Sequence, residues 1–460
     1  MFLDRYLSEY DDNLTGESYI DPMGTLVIWS AFGQKIFRNR VNSISNDVRN
    51  YTLNLFNHYI VRRMIADDKV QLSRKLINEY GGKDTLHFKY ACLLYLENLF
   101  VFSVLQREEE KAVDSAGVLG SSKARGIWAQ NKNNPKIIFT HKKAGQILVR
   151  QLSLGVSGRY KTPMMEMNYF DTNYHYNQPA SLPLWLGAEE FVKKNPHLHK
   201  LSDELIEHLT VLLSQNSSLP HINFSDVPES IRAGFTIAFS SSVFVGGYAR
   251  DYWLSVTDLD KGAAGALLNV LDENAASETS FELGNQALMH NAMKQDLPDL
   301  EQMKMSQISV LEPFLSDVML LFTLLSAKKS RALTEVLEQW RQFGRDEYTL
   351  PQRAQQILND AALINVLKGT ALARMQKLLQ LAETSTLNDQ ITLLIDYHKA
   401  VMQRRGQLAW LAIDSAGLVK VHARPSRMPK QEEWPMGAWY HNYYLPQFKS
   451  LVRGFQGDVA

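Results

Sequence analysis

His197 and His199 flank Leu198, and His208 follows one short helix later. Two imidazoles at this spacing converge on a metal only from a strand or a loop, because a helix turns them to different sides. No cysteine or acidic cluster stands beside them, and next to Pro196 they read as solvated loop histidines. Asp258 and Asp260 form a D-x-D pair that offers two oxygens to Mg²⁺, but carboxylates in this pattern also open helices. Glu109-Glu110-Lys111 has the E-x-K end of a nuclease site. Such a site needs an upstream aspartate on a strand, whereas Glu109 falls near a helix end. Gly155-Val156-Ser157-Gly158 is one residue short of the G-x-S-x-G nucleophile elbow. Cys92 is the one cysteine, and its apolar neighbours Tyr90 to Tyr95 read as core. It excludes an intramolecular disulfide and a cysteine-rich zinc site, and it suits a reducing compartment. The chain carries no G-x-x-x-x-G-K-[ST] and no H-E-x-x-H. Gly246-Gly247 follows Val243-Phe244-Val245 without the remaining glycines of a dinucleotide loop. These motifs predict no catalytic residue, no metal and no cofactor.

The charge pattern is more informative. Between Asp114 and Glu166 lie 51 residues without an acid. They carry nine cations, Lys123, Arg125, Lys132, Lys136, Lys142, Lys143, Arg150, Arg159 and Lys161, in a chain whose net charge is zero. Lys and Arg neutralise phosphates, and the interleaved Trp128, Phe139 and Tyr160 offer faces on which bases stack. These nine residues are the candidate nucleic-acid contacts. An acidic protein partner, or the chain's own acidic segment 255–301, is the competing occupant. Within the window, Gln146 to Ser157 resembles the first helix and turn of a helix-turn-helix. Lys161 stands where that motif needs an apolar residue, and Pro163 falls inside the second helix, so a basic loop is the stronger reading.

A second basic stretch runs from Lys399 to Arg453, with nine Lys/Arg against Asp414, Glu432 and Glu433. A helix ending at Arg404-Arg405 feeds a hairpin there, as in a winged helix. Trp434, Trp439, Tyr440, Tyr443, Tyr444 and Phe448 follow among prolines and read as a strap docked on the protein's core or on a partner.

These residues are positioned by mostly helical elements. Ile44, Val48, Tyr51, Leu55 and Tyr59 recur at helical period, with Asp47 and Arg49 on the other side. A second helix is expected over 67–79, stopped by Gly81-Gly82, and a third over 86–111, capped by Asp84 or Thr85. Residues 1–22 read as a short arm, 112–135 as a loop, 136–140 as a strand, 141–154 as a helix and 155–185 as irregular. Helices are expected near 201–212, from Asp258 to Leu271, through 308–382, over 387–405 and near 443–455. Leu408–Ile413 and Leu418–Ala423 around Asp414-Ser415-Ala416-Gly417 predict a hairpin.

The expected fold is therefore mainly α and multi-domain, with a small β element near 136–140 and a hairpin near 408–423 whose alternative reading is a winged-helix-like part. The expected divisions are 1–112, 113–200, 201–305 and 306–460. Hydrophobic residues at 45% and charged residues at 21% are globular values. The start, Met1 to Tyr6, lacks the pattern of a secretory signal, and no uncharged run of about 20 apolar residues is present. The expected protein is cytoplasmic with no membrane role. It is a non-catalytic subunit or adaptor that joins other protein subunits and contacts DNA or RNA, in a bacterial DNA-processing or phage-defence setting. A metal-assisted hydrolase with a dispersed site and a pure protein scaffold are the alternatives.

Overall fold

The computed structural model describes residues 21–110, 113–273 and 279–457. They are mainly helical, with five short strands in two antiparallel sheets. The expected N-terminal arm lies outside them up to residue 20. The chain divides into two compact units. One comprises the described residues of Asn39–Asp260 and Gln447–Ala460, the other those of Ser18–Arg38 and Lys261–Pro446.

The first unit is built round the Leu86–Gln106 helix, which is buried along almost its whole length. Thr85 caps it, its hydroxyl accepting from the Phe88 amide at 3.4 Å. Val48–Ala66 packs beside it and is capped by Asp47. Ser242–Thr257 closes on that helix, with the Trp253 indole donating to Thr52 Oγ1 at 2.8 Å. Gly246 lets the backbone at Gly454 approach so closely that a Cβ would lie 1.7 Å from the Gly454 carbonyl oxygen. Phe56, Phe100, Phe235 and Phe239 fill the centre with tilted and edge-on ring pairs. Strands β1 (Lys136–Ile138) and β2 (His221–Asn223) pair antiparallel, Ile137 opposite Ile222. Arg49 reverses its expected outward position: it is fully buried, and its guanidinium donates to the Asp114 carbonyl at 2.6 Å and to the Ala116 carbonyl.

The second unit is built round the 28-residue helix Asp299–Ser326, which holds Pro313 in its interior. Leu26–Phe37, Gly369–Leu379 and Leu387–Arg404 are further helices of this unit. Strands β3 (Ser330–Ala332), β4 (Leu411–Ile413) and β5 (Leu418–Val421) form one sheet in the order β3-β5-β4. The expected hairpin is present, and Gly417 takes the left-handed φ of +74° that its turn requires. The aromatic stretch before the C-terminal helix is strapped onto this unit's own core. Glu312, fully buried, accepts from the Tyr440 amide at 2.6 Å, the His441 amide at 2.8 Å and the Tyr443 hydroxyl at 2.6 Å. Arg345 holds the start of the strap through the Trp434 and Pro435 carbonyls at 2.7 and 3.0 Å.

Several local expectations change. Ser121–Gln130 is a helix inside the supposed loop 112–135, entered through Gly120 at φ +86°. The supposed helix 141–154 is broken into a single 3-10 turn, Lys143–Gly145, and a four-residue helix, Gln151–Leu154. Three features break it. A Cβ on Gly145 would meet the Thr140 carbonyl oxygen at 2.5 Å. Arg150 sits at φ +59°. The Gln151 side chain accepts from the amides of Ile147 and Leu148, displacing helical bonding. The second helix is shorter than expected, Arg74–Tyr80 with Ser73 as its cap. Asp258 ends the Ser242–Thr257 helix in the left-handed region rather than opening the next.

Leu86–Gln106 and Asp299–Ser326 are long and apolar enough to cross a membrane, yet 94% and 78% of their most apolar stretches are buried inside the protein. They are core helices by that measure.

Two outcomes follow. Glu312→Ala leaves the strap's amides and the Tyr443 hydroxyl unpaired in a dry site. It should cost about 3 kcal/mol in urea denaturation, and a loss under about 1 kcal/mol would show that ring packing alone holds the strap. His398 is held neutral: Nδ1 donates to the Pro22 carbonyl at 2.9 Å and Nε2 accepts from the Trp410 amide at 2.8 Å. Burial first, then Arg405, lowers its pKa from the usual 6.5. The unfolded chain takes up a proton that the folded imidazole refuses. Its contribution is therefore complete above pH 6.5 and is lost as pH falls toward the folded pKa. Between about pH 7.5 and about pH 5, the wild type should lose more stability than His398→Gln; equal losses would remove His398 from the acid sensitivity.

Candidate nucleic-acid interface

The basic segment is irregular, and its shape is imposed from beneath. Glu97 and Asn98, both buried, project from the Leu86–Gln106 helix. Glu97 accepts from the Ser157 amide at 2.7 Å and from the Gln151 side chain at 3.1 Å. Asn98 accepts from the same Gln151 amide at 3.0 Å and donates to the Gly145 carbonyl at 2.8 Å. Burial raises the Glu97 pKa against these hydrogen bonds, the Ser157 amide foremost among them. Gly155 passes so near that a Cβ would lie 2.3 Å from Glu97 Oε2. Two one-turn helices, Val156–Arg159 and Lys161–Glu166, follow, and Pro163 is tolerated near the start of the second. No helix of reading-head length follows the Leu-Gly-Val-Ser turn.

The nine cations divide by what they touch. Arg125 pairs with Glu108, and Lys142 pairs with Glu79 at 2.6 Å. Hydrogen bonds from these partners hold the Glu108 and Glu79 carboxyls below their usual range. Arg159 donates to the Leu154 carbonyl at 2.9 Å. Lys161 is half-buried, donates to the Thr172 carbonyl at 2.7 Å and lies 4.5 Å from the Tyr174 ring centroid. Burial lowers its pKa. Lys123, Lys132, Lys136, Lys143 and Arg150 are exposed, and among the described residues their side chains have no ion pair or hydrogen bond with the chain. Lys123 rides on the Ser121–Gln130 helix and Lys136 opens β1. Lys143 lies seven residues further on, at the start of the Lys143–Gly145 turn.

The aromatic residues do not serve as expected. Phe139 and Tyr160 are 0% and 1% exposed, so neither presents a face for a base. They are core: Phe139 meets Tyr80, Phe88 and Tyr95, and Tyr160 meets Tyr51 edge-on. Trp128 keeps partial exposure while packing against Phe102 and Phe224.

The chemical candidates are placed as follows. His197 and His199 lie in the first turn of the Pro196–Ser214 helix, not in a loop, because Asn195 caps the amides of His197 and Leu198. His199 faces Asp203 one turn on, at 3.2 Å. Among the described residues no group of three or more His, Cys, Asp and Glu is arranged to hold a metal ion. Ser157 is buried, with its amide committed to Glu97. Cys92 is fully buried, and burial raises its thiol pKa. The Glu108 that pairs with Arg125 is a site residue that charge counting missed, because it lies before the acid-free window.

No protein-family model, curated protein or solved structure matches the chain.

Gly155→Ala forces a methyl group into Glu97 and should destabilise the first unit by about 2 kcal/mol. Gly126→Ala, in the helix Ser121–Gln130 with open space around its Cβ, should instead stabilise by about 0.5–1 kcal/mol. Chemical denaturation of both checks the contrast; equal effects would show that Glu97 does not constrain the segment.

Proposed function

We propose that the chain is a non-catalytic helical adaptor of a multi-protein assembly in the cytosol, and that it contacts nucleic acid through the surface bearing Lys123, Lys132, Lys136, Lys143 and Arg150. The observation that carries this reading is the fate of the nine cations. Four are engaged by the chain's own carboxylates, carbonyls or rings, and five are exposed with no partner among the described residues. Exposed ammonium groups gain little from the fold, and a phosphate backbone is the polyanion that rewards several of them at once. With Phe139 and Tyr160 in the core, the contact is electrostatic, to phosphates rather than to stacked bases. The buried lone Cys92 fits a reducing compartment.

Fluorescence anisotropy with labelled duplex DNA, single-stranded DNA and RNA at several salt concentrations tests it. Five phosphate contacts give a log-log salt slope of about −4 to −5 on duplex. Changing Lys123, Lys132, Lys136 and Lys143 together to Glu should bring that slope close to zero and leave the thermal melt unchanged. Absence of binding at low salt, or a slope indifferent to these changes, overturns the proposal. Equal affinity for polyglutamate would assign the surface to an acidic protein instead.

A further inference from the structure

The second unit holds a cationic cavity that none of its described carboxylates neutralises. It lies between the helices Gly369–Leu379 and Leu387–Arg404 and measures about 330 Å³, near the lower end of small-molecule sites. Ala373, Arg374 and Lys377 line it from the first helix, and Tyr397, Ala400 and Arg404 from the second. Positions 373 and 377, and 397, 400 and 404, stand three or four apart and so share a face of their helix. The two alanines leave the space between those faces open. Arg374, Lys377 and Arg404 are the charged residues of the lining, which includes no carboxylate. Lys377 and Arg404 are exposed, and among the described residues they make no ion pair or hydrogen bond. Arg374 is only 9% exposed. Its Nη1 donates to the Gly24 carbonyl at 2.7 Å, but its buried Nε has no partner and no carboxylate pairs with it among the described residues. Tyr397, 4% exposed, likewise has a buried hydroxyl without a partner among the described residues. Asp21, within electrostatic reach of Tyr397, is committed to Arg405 at 3.3 Å and to the Thr25 amide at 2.9 Å.

A guanidinium withdrawn from water without a counter-ion is unfavourable, and buried polar groups are nearly always paired. Arg374 at the cavity wall therefore calls for an anion. We infer that this cavity binds the phosphate group of a small ligand, held among Arg374, Lys377 and Arg404. A phosphate monoester carries a charge of about −1.5 to −2 and three strong acceptor oxygens, which suits three converging cations better than the single charge of a carboxylate. Guanidinium groups grip phosphate through paired N–H donors. The surroundings limit the ligand's length. An adjoining hollow of about 420 Å³ shares Lys377 and Tyr397 but is lined by Asp389 and Asp396. A nucleic-acid strand running on through it would set its phosphates against those carboxylates. A compact ligand with one anionic end fits, and a polyanion does not. The inference is independent of the nucleic-acid contact, because none of its five cations belongs to this unit.

The test is isothermal titration calorimetry of the full chain with phenyl phosphate, inorganic phosphate and benzoate at one ionic strength. Saturable binding of phosphate at one site per chain is expected, with benzoate at least about tenfold weaker. Tighter binding of phenyl phosphate gives the source as a phosphorylated molecule, equal affinity gives it as the free ion, and either supports the site. Arg374→Gln should abolish binding. Lys377→Gln and Arg404→Gln, at exposed positions, should each weaken it about tenfold while the thermal melt and the nucleic-acid anisotropy stay unchanged. They carry the reading where Arg374→Gln also lowers the melt. Lys399→Gln, on the same helix as Arg404 but outside the lining, should bind phosphate as the wild type does. The inference is overturned by a lack of saturable binding of either phosphate, or by benzoate bound as tightly. Equal losses in Lys377→Gln, Arg404→Gln and Lys399→Gln also overturn it, by showing diffuse attraction to a basic surface instead of a site.

Discussion

Each unit depends on one carboxylate buried in the middle of an apolar helix. Glu97 sits in Leu86–Gln106 and Glu312 in Asp299–Ser326, both almost wholly shielded from water. An isolated carboxylate in such a place is very unfavourable, so the surroundings must supply hydrogen-bond donors. In both units an irregular segment supplies them through backbone amides. Ser157 serves Glu97, and Tyr440 and His441 serve Glu312. Each carboxyl group organises the amides that reach it.

This arrangement explains why stretches with little regular structure hold a fixed shape. Gln151 turns its side chain inward to Glu97 and Asn98 and outward-bound chain follows from that inward commitment. Gly145 and Gly155 are where the segment presses onto the helix, and a side chain at either would part them. Arg49 does the same from the opposite polarity, collecting the carbonyls of Asp114 and Ala116. Above this anchored backbone, Lys123, Lys132, Lys136, Lys143 and Arg150 remain exposed. In the second unit Arg345, paired with Asp317 at 3.0 Å, fixes the start of the strap, and Glu312 fixes its end.

Elements governed by local rules were readable in the sequence. Thr85 as a cap, Gly81 as a stop, the hairpin turn at Gly417 and the helix Leu387–Arg404 depend on neighbours in the chain. The mainly α class followed from them. What was not readable depends on distant partners. The strand β2 exists only because β1 lies 85 residues earlier, Lys136 opposite Asn223 and Ile138 opposite His221. Arg49 looked exposed because helical period gave it an outward face, and only the turn at 114–116 calls it inside. The acid-free window was plain, yet the separation of occupied from unoccupied cations was not. Glu79 and Glu108, which settle it for Lys142 and Arg125, lie outside the window. Phe139 and Tyr160 looked like stacking platforms because a sequence shows aromatic rings without their neighbours.

The proposed nucleic-acid contact is electrostatic, and this bears on how an adaptor would use it. Five separate ammonium and guanidinium groups in water attract phosphates across a distance that salt sets, about 8 Å at physiological ionic strength. Attraction of that kind is fast to form, indifferent to sequence and easily released.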